Sequence, residues 1–383
     1  MPKKPKICLV YTGGTIGMVE EQGILRPPDN PEDFLNLAPE LNDFVRVDAC
    51  FILNKDSSNM NPKDWELIAR EIYKRRHDGY QGFVVAHGTD TMHFTASALA
   101  FAFGPYLNFP IVLTGAQTVP TVVHGDARVN LLRACKTALE PLGEVCIAFG
   151  EYVFRGCRAQ KKDERRFDAF DSPAFTPLAY ITETIDVQPL AKLTTHRERN
   201  GHDIKFRPFF SDGILQVALI PGLEPSLLMD TVTLDTCKGV ILQSFGAGNV
   251  PDESAEEFSF EGFIRLVRDY GKPLIITSQF PGGSTLTSRY AAHESAVKAG
   301  AIPTGNMTSA AAVVKFRWVL ARVEQEILEG KVSPEQRLDR IASWMIRRYV
   351  GEVGPLVADF TDPDPIDDSI TTLKQPSDES VTD

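Results

Sequence analysis

Short apolar, β-branched runs alternate with segments of helical period through the first half of the chain. The runs 6–11 (KICLVY), 47–53 (VDACFIL), 82–87 (GFVVAH), 109–114 (FPIVLT) and 144–149 (EVCIAF) predict strands. Between them, 62–76 opens on Asn61-Pro62, an N-cap residue followed by proline at the first helical position, and helix-like spacing recurs at 92–103 and 126–140. Strands that are apolar on both faces, separated by helices, predict βαβ units and a mostly parallel sheet covered on both sides. The stretch from about 188 to 212 is polar and less periodic, and it reads as an inter-domain connection with room for a short hairpin. A second pattern then sets strands 215–220, 238–243 and 273–278 among helices 225–231, 258–270 and 289–299, with helices 308–329 and 334–348 closing it. The fold class is therefore α/β with two α/β domains: a larger one over 1–188 and a smaller parallel-sheet one over 213–353, joined by 189–212. Residues 354–383 form an acidic tail whose composition argues for disorder.

Composition narrows the function without naming it. The 383 residues are 43% hydrophobic and 24% charged, an ordinary globular balance with room for two cores. The formal charge of −11 is largely local: Gly354 to Asp383 holds eight acidic residues against the single Lys374, a net of −7. The folded part is thus only mildly acidic and has no basic stripe of the kind nucleic-acid binding needs. The mixed run KKDERR (Lys161 to Arg166) reads, in its outer members, as a solvated face. Cys8, Cys50, Cys135, Cys146, Cys157 and Cys237 are scattered without CxxC spacing, several inside strand-like runs, which suits reduced buried thiols. The N-terminus has too short an apolar run for a signal peptide, and no stretch approaches the ~20 apolar residues of a membrane span, so a cytoplasmic protein without membrane attachment is expected.

The chemistry collects at strand ends. Strand 6–11 runs into Thr12-Gly13-Gly14-Thr15, 82–87 into His87-Gly88-Thr89-Asp90-Thr91, and 109–114 into Thr114-Gly115-Ala116-Gln117; after Leu53 comes Asp56-Ser57-Ser58-Asn59. In an open parallel sheet these carboxyl ends share one edge, where ligands bind. Each motif alone has a plainer reading: TGGT as a tight turn, Asp90 as the cap of a helix that begins near Thr91. Neither GxGxxG nor GxxxxGK[ST] is present, so a phosphate loop is not expected. His87, His93 and His124 lack metal-ligand spacing, and neither metal nor cofactor is expected. Together the four turns describe a polar pocket suited to a charged small molecule that carries an amide.

YTGGTIGM, DSSNM, HGTDTM and LTGAQ, in this order and at this spacing, resemble the bacterial-type L-asparaginases, in particular the cytoplasmic type I branch. The resemblance extends over about residues 6 to 330 and includes RGCRAQKKDERRFDAF (155–170), SFGAGNVP (244–251) and GNMTSAAAVVK. It implies a large and a small α/β domain, a homodimer or dimer-of-dimers tetramer, and hydrolysis of L-asparagine to L-aspartate and ammonia without a cofactor. Carried across by motif, Thr15 would be the nucleophile, with Thr89, Asp90 and Lys161 as the set that activates it. Lys162 is the neighbouring competitor, and the RGxRxxK pattern favours Lys161. Backbone N–H groups, including that of Thr15 or Ala116, would hold the oxyanion. Ser57 and Asp90, with the backbone around Ser58 and Gly88, match substrate-holding positions, and Asn249 matches a residue contributed across the dimer interface.

The match also breaks. Family members usually carry a tyrosine in the lid after the first motif, where this chain has Ile24. Either the site is catalytically weak or another tyrosine substitutes; Tyr290 is the candidate, with a packed helix residue as the equal alternative. The type I effector site would involve positions that here look like Gln160, Gln243 and Phe280, and a bulky Phe280 argues against it. Two further readings stand beside the enzyme: a catalytically quiet amino-acid-binding relative, and the ammonia-generating subunit of an archaeal-type tRNA-dependent amidotransferase. The second expects an N-terminal extension, whereas the first motif here begins at Tyr11.

Overall fold

The computed structural model describes residues 4–21, 24–26, 34–194, 202–251, 259–285 and 291–354. In chain order the strands are β1 (Lys6–Tyr11), β2 (Val19–Glu21), β3 (Ile24–Arg26), β4 (Arg46–Phe51), β5 (Gly82–Ala86), β6 (Ile111–Thr114), β7 (Val145–Phe149) and β8 (Tyr152–Arg155). They continue with β9 (Gln160–Lys161), β10 (Phe170–Asp171), β11 (Ala179–Ile181), β12 (Ile185–Val187), β13 (Ile214–Ala218), β14 (Gly239–Ser244), β15 (Leu274–Ser278) and β16 (Ile302–Pro303).

Among the described residues an eight-stranded sheet runs in the order β12-β11-β8-β7-β6-β5-β1-β4. Its stretch from β7 to β4 is parallel, and β8, β11 and β12 extend it antiparallel. A second, four-stranded sheet, β13-β14-β15-β16, is parallel throughout. The mostly parallel large sheet and the separate parallel small sheet are those the alternation predicts. No strand forms among the described residues of 188–194 and 202–212, so the hairpin allowed for there is absent from them.

The apolar runs follow from burial on both faces. Alternate residues of β1 feed two cores: Cys8 and Val10 face one, Ile7, Leu9 and Tyr11 the other. Each fully buried aliphatic side chain contributes about 1.5–3 kcal/mol relative to exposure. The first core continues through the helix Met92–Phe103 into the helix Ser309–Leu328, where Phe101 stacks on Trp318 at 5.9 Å, so the two halves share apolar packing. A third core fills the other face of the small sheet, under the helices Phe260–Asp269 and Ala291–Ala299. The helix Pro62–Arg75 starts as its sequence signals: Asn61 Oδ1 accepts from the Lys63 N–H (3.0 Å), and Asp64 Oδ2 accepts from the Asn61 N–H (3.0 Å).

Two buried cations tie residues 345–354 to earlier parts of the chain. Lys315, from the GNMTSAAAVVK segment, is fully buried and donates to Glu352 Oε1 (2.5 Å), to the Met345 carbonyl (3.0 Å) and to the Arg347 carbonyl. All three ammonium hydrogens are matched, which keeps a buried charge tolerable. Arg158 donates to the carbonyls of Gly351 (2.8 Å) and Asn306 (3.1 Å), and Asn306 Nδ2 holds the Gly354 carbonyl at 2.8 Å.

Candidate active site

In the large sheet the chain passes from β1 to β4 on one side and then returns to β5 on the other. That reversal opens a crevice at the carboxyl ends of β1 and β5, the usual ligand position in such sheets. The loops it brings together are Thr12–Thr15, Lys55–Asn59, His87–Thr91 and Thr114–Gln117, the four turns singled out from sequence.

The two glycines between the threonines make this approach possible. Gly13 has φ 114° and a Cβ there would lie 2.2 Å from the Lys55 carbonyl oxygen; Gly14 has φ 91° and a Cβ there would lie 2.4 Å from the Gly88 nitrogen. Both conformation and space demand glycine, and the loop is wedged between its neighbours. Thr12 spends its hydroxyl and its N–H on the Ala86 carbonyl (2.9 and 3.0 Å), while its own carbonyl accepts from the Lys55 N–H (3.1 Å). Thr15 opens a short 3-10 turn, Thr15–Gly17, and remains half-buried at the crevice.

The second set of residues is assembled from three loops. Lys161 Nζ donates to Thr89 Oγ1 (2.8 Å) and to Asp90 Oδ1 (2.6 Å), and the Thr89 hydroxyl donates onward to Gln117 Oε1 (3.2 Å). The Lys161 side chain is 14% exposed, while Asp90 is 64% exposed and stands at the open side. β9 pairs antiparallel with β10, and successive side chains of a strand point to opposite faces. Lys162, one residue past β9, instead meets Asp168 at 3.3 Å, so of the two lysines it is Lys161 that contacts Thr89 and Asp90. Asp90 does not cap the following helix: the N-cap of Met92–Phe103 is Thr91, whose hydroxyl instead donates to the Ser57 carbonyl at 2.7 Å. Within KKDERR, Glu164, Arg165 and Arg166 are solvated, at 84%, 88% and 68% exposed, whereas the outer member Lys161 is turned inward.

The serine loop is fixed from below. Lys55 donates to both oxygens of the buried Asp64 (2.7 and 2.9 Å), and Asp56 Oδ1 accepts from the N–H (2.8 Å) and hydroxyl (2.7 Å) of Ser58. Ser57 is buried against Gly88, where a Cβ would come within 2.6 Å of Ser57 Oγ. The hydroxyl and N–H of Ser58 together hold the Asp56 carboxylate below the usual range.

Sequence reasoning missed several supports. Gln117 lies in a quoted motif that does not announce its role; its Nε2 also donates to the carbonyls of Asp163 and Arg166 (both 3.3 Å), tying the Lys161 loop to the crevice. Buried Asp126 accepts from the N–H groups of Gln117 (2.9 Å) and Thr118 (3.0 Å), from the Thr118 hydroxyl (2.9 Å) and from Asn130 Nδ2 (3.1 Å). An aspartate opening the predicted helix 126–140 was the available signal. Ala116 is buried at the base of this loop. His87 is wholly buried, and burial pushes its imidazole down to about 4.

Other expected positions lie apart. Asn249 sits in the turn after β14, in the small-sheet half, where its backbone exchanges hydrogen bonds with Phe245 (2.8 and 3.0 Å); its Oδ1 is buried without a partner. Tyr290 is outside the described residues, as is the tail from 355 onward. Ile24 begins β3, in a small hairpin with β2. Gln160 pairs with Asp171 across β9 and β10, Gln243 donates to Ser309 Oγ (2.7 Å), and Phe280 is exposed. Among the described residues no group of three or more His, Cys, Asp or Glu side chains is arranged to hold a metal.

Family models match both halves: Asparaginase, N-terminal, over residues 6–192, and the Glutaminase/Asparaginase C-terminal domain over 214–327. The chain belongs to the asparaginase family. It is 33% identical to L-asparaginase 1 of Escherichia coli (strain K12), over 88% of this chain and 98% of that one. It is also 31% identical to a subunit of the glutamyl-tRNA(Gln) amidotransferase of Aeropyrum pernix, over 92% of this chain and 83% of that one. Among solved structures, the thermostable L-asparaginase of Thermococcus kodakarensis superposes with a TM-score of 0.79 at 28% identity, covering 91% of this chain and 99% of that one. L-asparaginase I of Vibrio cholerae gives 0.78 at 28% identity, covering 92% and 100%. The large mostly parallel sheet and the separate four-stranded sheet are like those of asparaginase structures, and among the described residues no helix is long and apolar enough to cross a membrane.

Proposed function

We propose that this asparaginase-family protein hydrolyses the side-chain amide of L-asparagine through a threonine acyl-enzyme. The observation that carries the reading is Lys161 Nζ, 2.8 Å from Thr89 Oγ1 and 2.6 Å from Asp90, in a crevice that the Thr12–Thr15 loop also borders. Thr15 Oγ attacks the amide carbon as its proton passes to the Thr89–Lys161 pair. The tetrahedral oxyanion collapses, the C–N bond breaks and the amine takes the proton to leave as ammonia. Water then attacks the β-aspartyl ester by the same route and releases aspartate and free Thr15. Asp90 takes the substrate ammonium, and Ser57 with the backbone at Ser58 and Gly88 takes its carboxylate. The catalytic unit is 1–188, and the 213–353 unit of a second copy supplies Asn249, which needs a homodimer or a dimer of dimers. Tyr290 is the candidate for the hydroxyl that Ile24 lacks. The test is ammonia release from asparagine and glutamine by the wild type and by Thr15→Ala. Release at least 10³-fold above the variant is expected, and equal rates would sink the reading.

The 31% identity to a component of a tRNA-dependent amidotransferase supports a second reading, in which the same chemistry feeds ammonia to a partner. Glutamine-selective release that rises severalfold only with the partner protein of such an enzyme would favour it.

A further inference from the structure

The helix Ala127–Thr137 presents two different faces. Its inner face holds the crevice. Asn130 Nδ2 donates to the Gly115 carbonyl (3.0 Å) and to Asp126 Oδ2 (3.1 Å), and Asp126 in turn holds the Gln117 and Thr118 N–H groups. Its outer face sets Val129, Leu132, Arg133 and Lys136 at i, i+3, i+4 and i+7, one stripe along a helix. That stripe is one wall of a cavity of about 290 Å³. Facing it are Phe44, which closes the short helix Leu41–Phe44, and the β11–β12 hairpin, where Ile181 and Ile185 sit directly opposite each other.

The cavity is apolar inside and carries both signs of charge at its rim. Phe44, Leu132 and Ile185 are only partly buried and Val129 is 43% exposed, so this apolar surface is open to a guest. Glu40 at the rim is taken by Arg128 (3.3 Å), but Lys136, Asp43 and Glu183 make no ion pair among the described residues. A cavity near the lower end of small-molecule sites takes a small ligand. An ammonium and two carboxylates without partners, set around apolar walls, suit a molecule with an apolar body, one carboxylate and one ammonium.

We propose that this cavity binds an apolar α-amino acid, and that the helix carries its occupancy to the crevice. The ligand carboxylate meets Lys136, its ammonium meets Asp43 or Glu183, and its side chain lies among Phe44, Val129 and Ile185. Arg133 is the shared part. It lines the cavity and donates to the Gly150 carbonyl (2.8 Å), while the Gly150 N–H donates to Asn130 Oδ1 (3.2 Å). A carboxylate arriving beside Arg133 competes with that carbonyl, and so bears on Asn130 and the Gly115 loop. Binding stands apart from the amide-hydrolysis reading; only its effect on turnover rests on that reading.

The probes are L-leucine and L-phenylalanine, titrated calorimetrically into wild type, Val129→Trp and Lys136→Glu, each checked for fold by circular dichroism and thermal melting. One site per chain with a Kd of about 0.1–1 mM is expected for so small a ligand. Val129→Trp fills the cavity and Lys136→Glu reverses its cation, so each should weaken binding by about tenfold or more. 3-Phenylpropionate, which lacks the ammonium, should bind about tenfold more weakly than phenylalanine. Saturation with either amino acid should change KM for L-asparagine by about twofold or more in wild type and leave Val129→Trp unaffected. Without added leucine or phenylalanine, both variants should release ammonia at the wild-type rate. No saturable binding to wild type, or binding that survives both variants, overturns the site. Binding that leaves KM and kcat unchanged overturns the coupling. Should Val129→Trp not fold, Lys136→Glu and 3-phenylpropionate decide the matter. Wild type no more active than Thr15→Ala would remove the amide-hydrolysis reading instead, and the calorimetry would still decide the site.

Discussion

Two adjacent lysines with the same chemistry have different surroundings, Lys161 closing β9 and Lys162 lying just past it. Lys161 reaches Thr89 and Asp90, whereas Lys162 reaches Asp168. Lys161→Met should lower turnover by 10²–10⁴-fold, the range of a lost acid–base group, while Lys162→Met stays within threefold of wild type. Steady-state ammonia release checks both, and similar losses from the two would contradict the assignment. The motif threonines and Asp90 were legible in the sequence because backbone constraints crowd them into short, glycine-marked turns. Gln117 and His87 were not, since their partners (Thr89 and the Asp163 and Arg166 carbonyls for one, Thr95 and Gly88 for the other) are fixed by tertiary packing that no local spacing announces.

Elements differ in how plainly they could be read. β1 matches its apolar run at both ends, and β5, β6 and β7 fall within their runs, because strands buried on both faces leave an unbroken hydrophobic signature. The short antiparallel strands were invisible: β11 exposes Tyr180 between two buried residues, β12 has three residues and none fully buried, and the strands of the separate β9–β10 pair have two each. The loop after β6 depends on one carboxylate rather than on any element of its own. Asp126→Ala strands the Gln117 and Thr118 N–H groups and Asn130 Nδ2 without their acceptor, which should cost on the order of 3 kcal/mol of stability. Urea unfolding measures this, and turnover should fall with it because Gln117 loses its place beside Thr89. An unchanged urea midpoint would show that the loop holds without Asp126.

Across the whole molecule, the buried histidines and paired buried carboxylates make stability fall as pH drops below 7. His87 falls from 6.5 to about 4 on folding, so between those values the unfolded chain binds more protons and acidification removes stability. From pH 7 to pH 5 that alone amounts to about 2 kcal/mol, and His93, also pushed down to about 4 by burial and by nearby Lys161, acts in the same sense. Below the ordinary carboxylate range Glu144 and Glu352 add to it. Each is held down by its buried cation, Arg155 and Lys315 respectively, so each loses its contribution as pH drops through its lowered value. Urea titrations at pH 7 and pH 5 should show the drop, and a flat profile would contradict it. The two-sheet class was legible from alternation, but the merging of the halves around Phe101 and Trp318 was not, because an apolar helix face does not name the surface that will cover it.

The contacts of Arg158 with Gly351 and Asn306, and of Lys315 with Glu352, also set an order in time. A chain leaves the ribosome from its N-terminus, so every loop of the crevice is made long before residue 352 emerges. Until then Arg158, three positions before Lys161, has no Gly351 carbonyl to hold it, and Lys315 has no carboxylate. The strand that delivers Lys161 therefore lacks its Gly351 anchor until residue 351 has emerged, and a growing chain carries its proposed nucleophile well before that footing is complete.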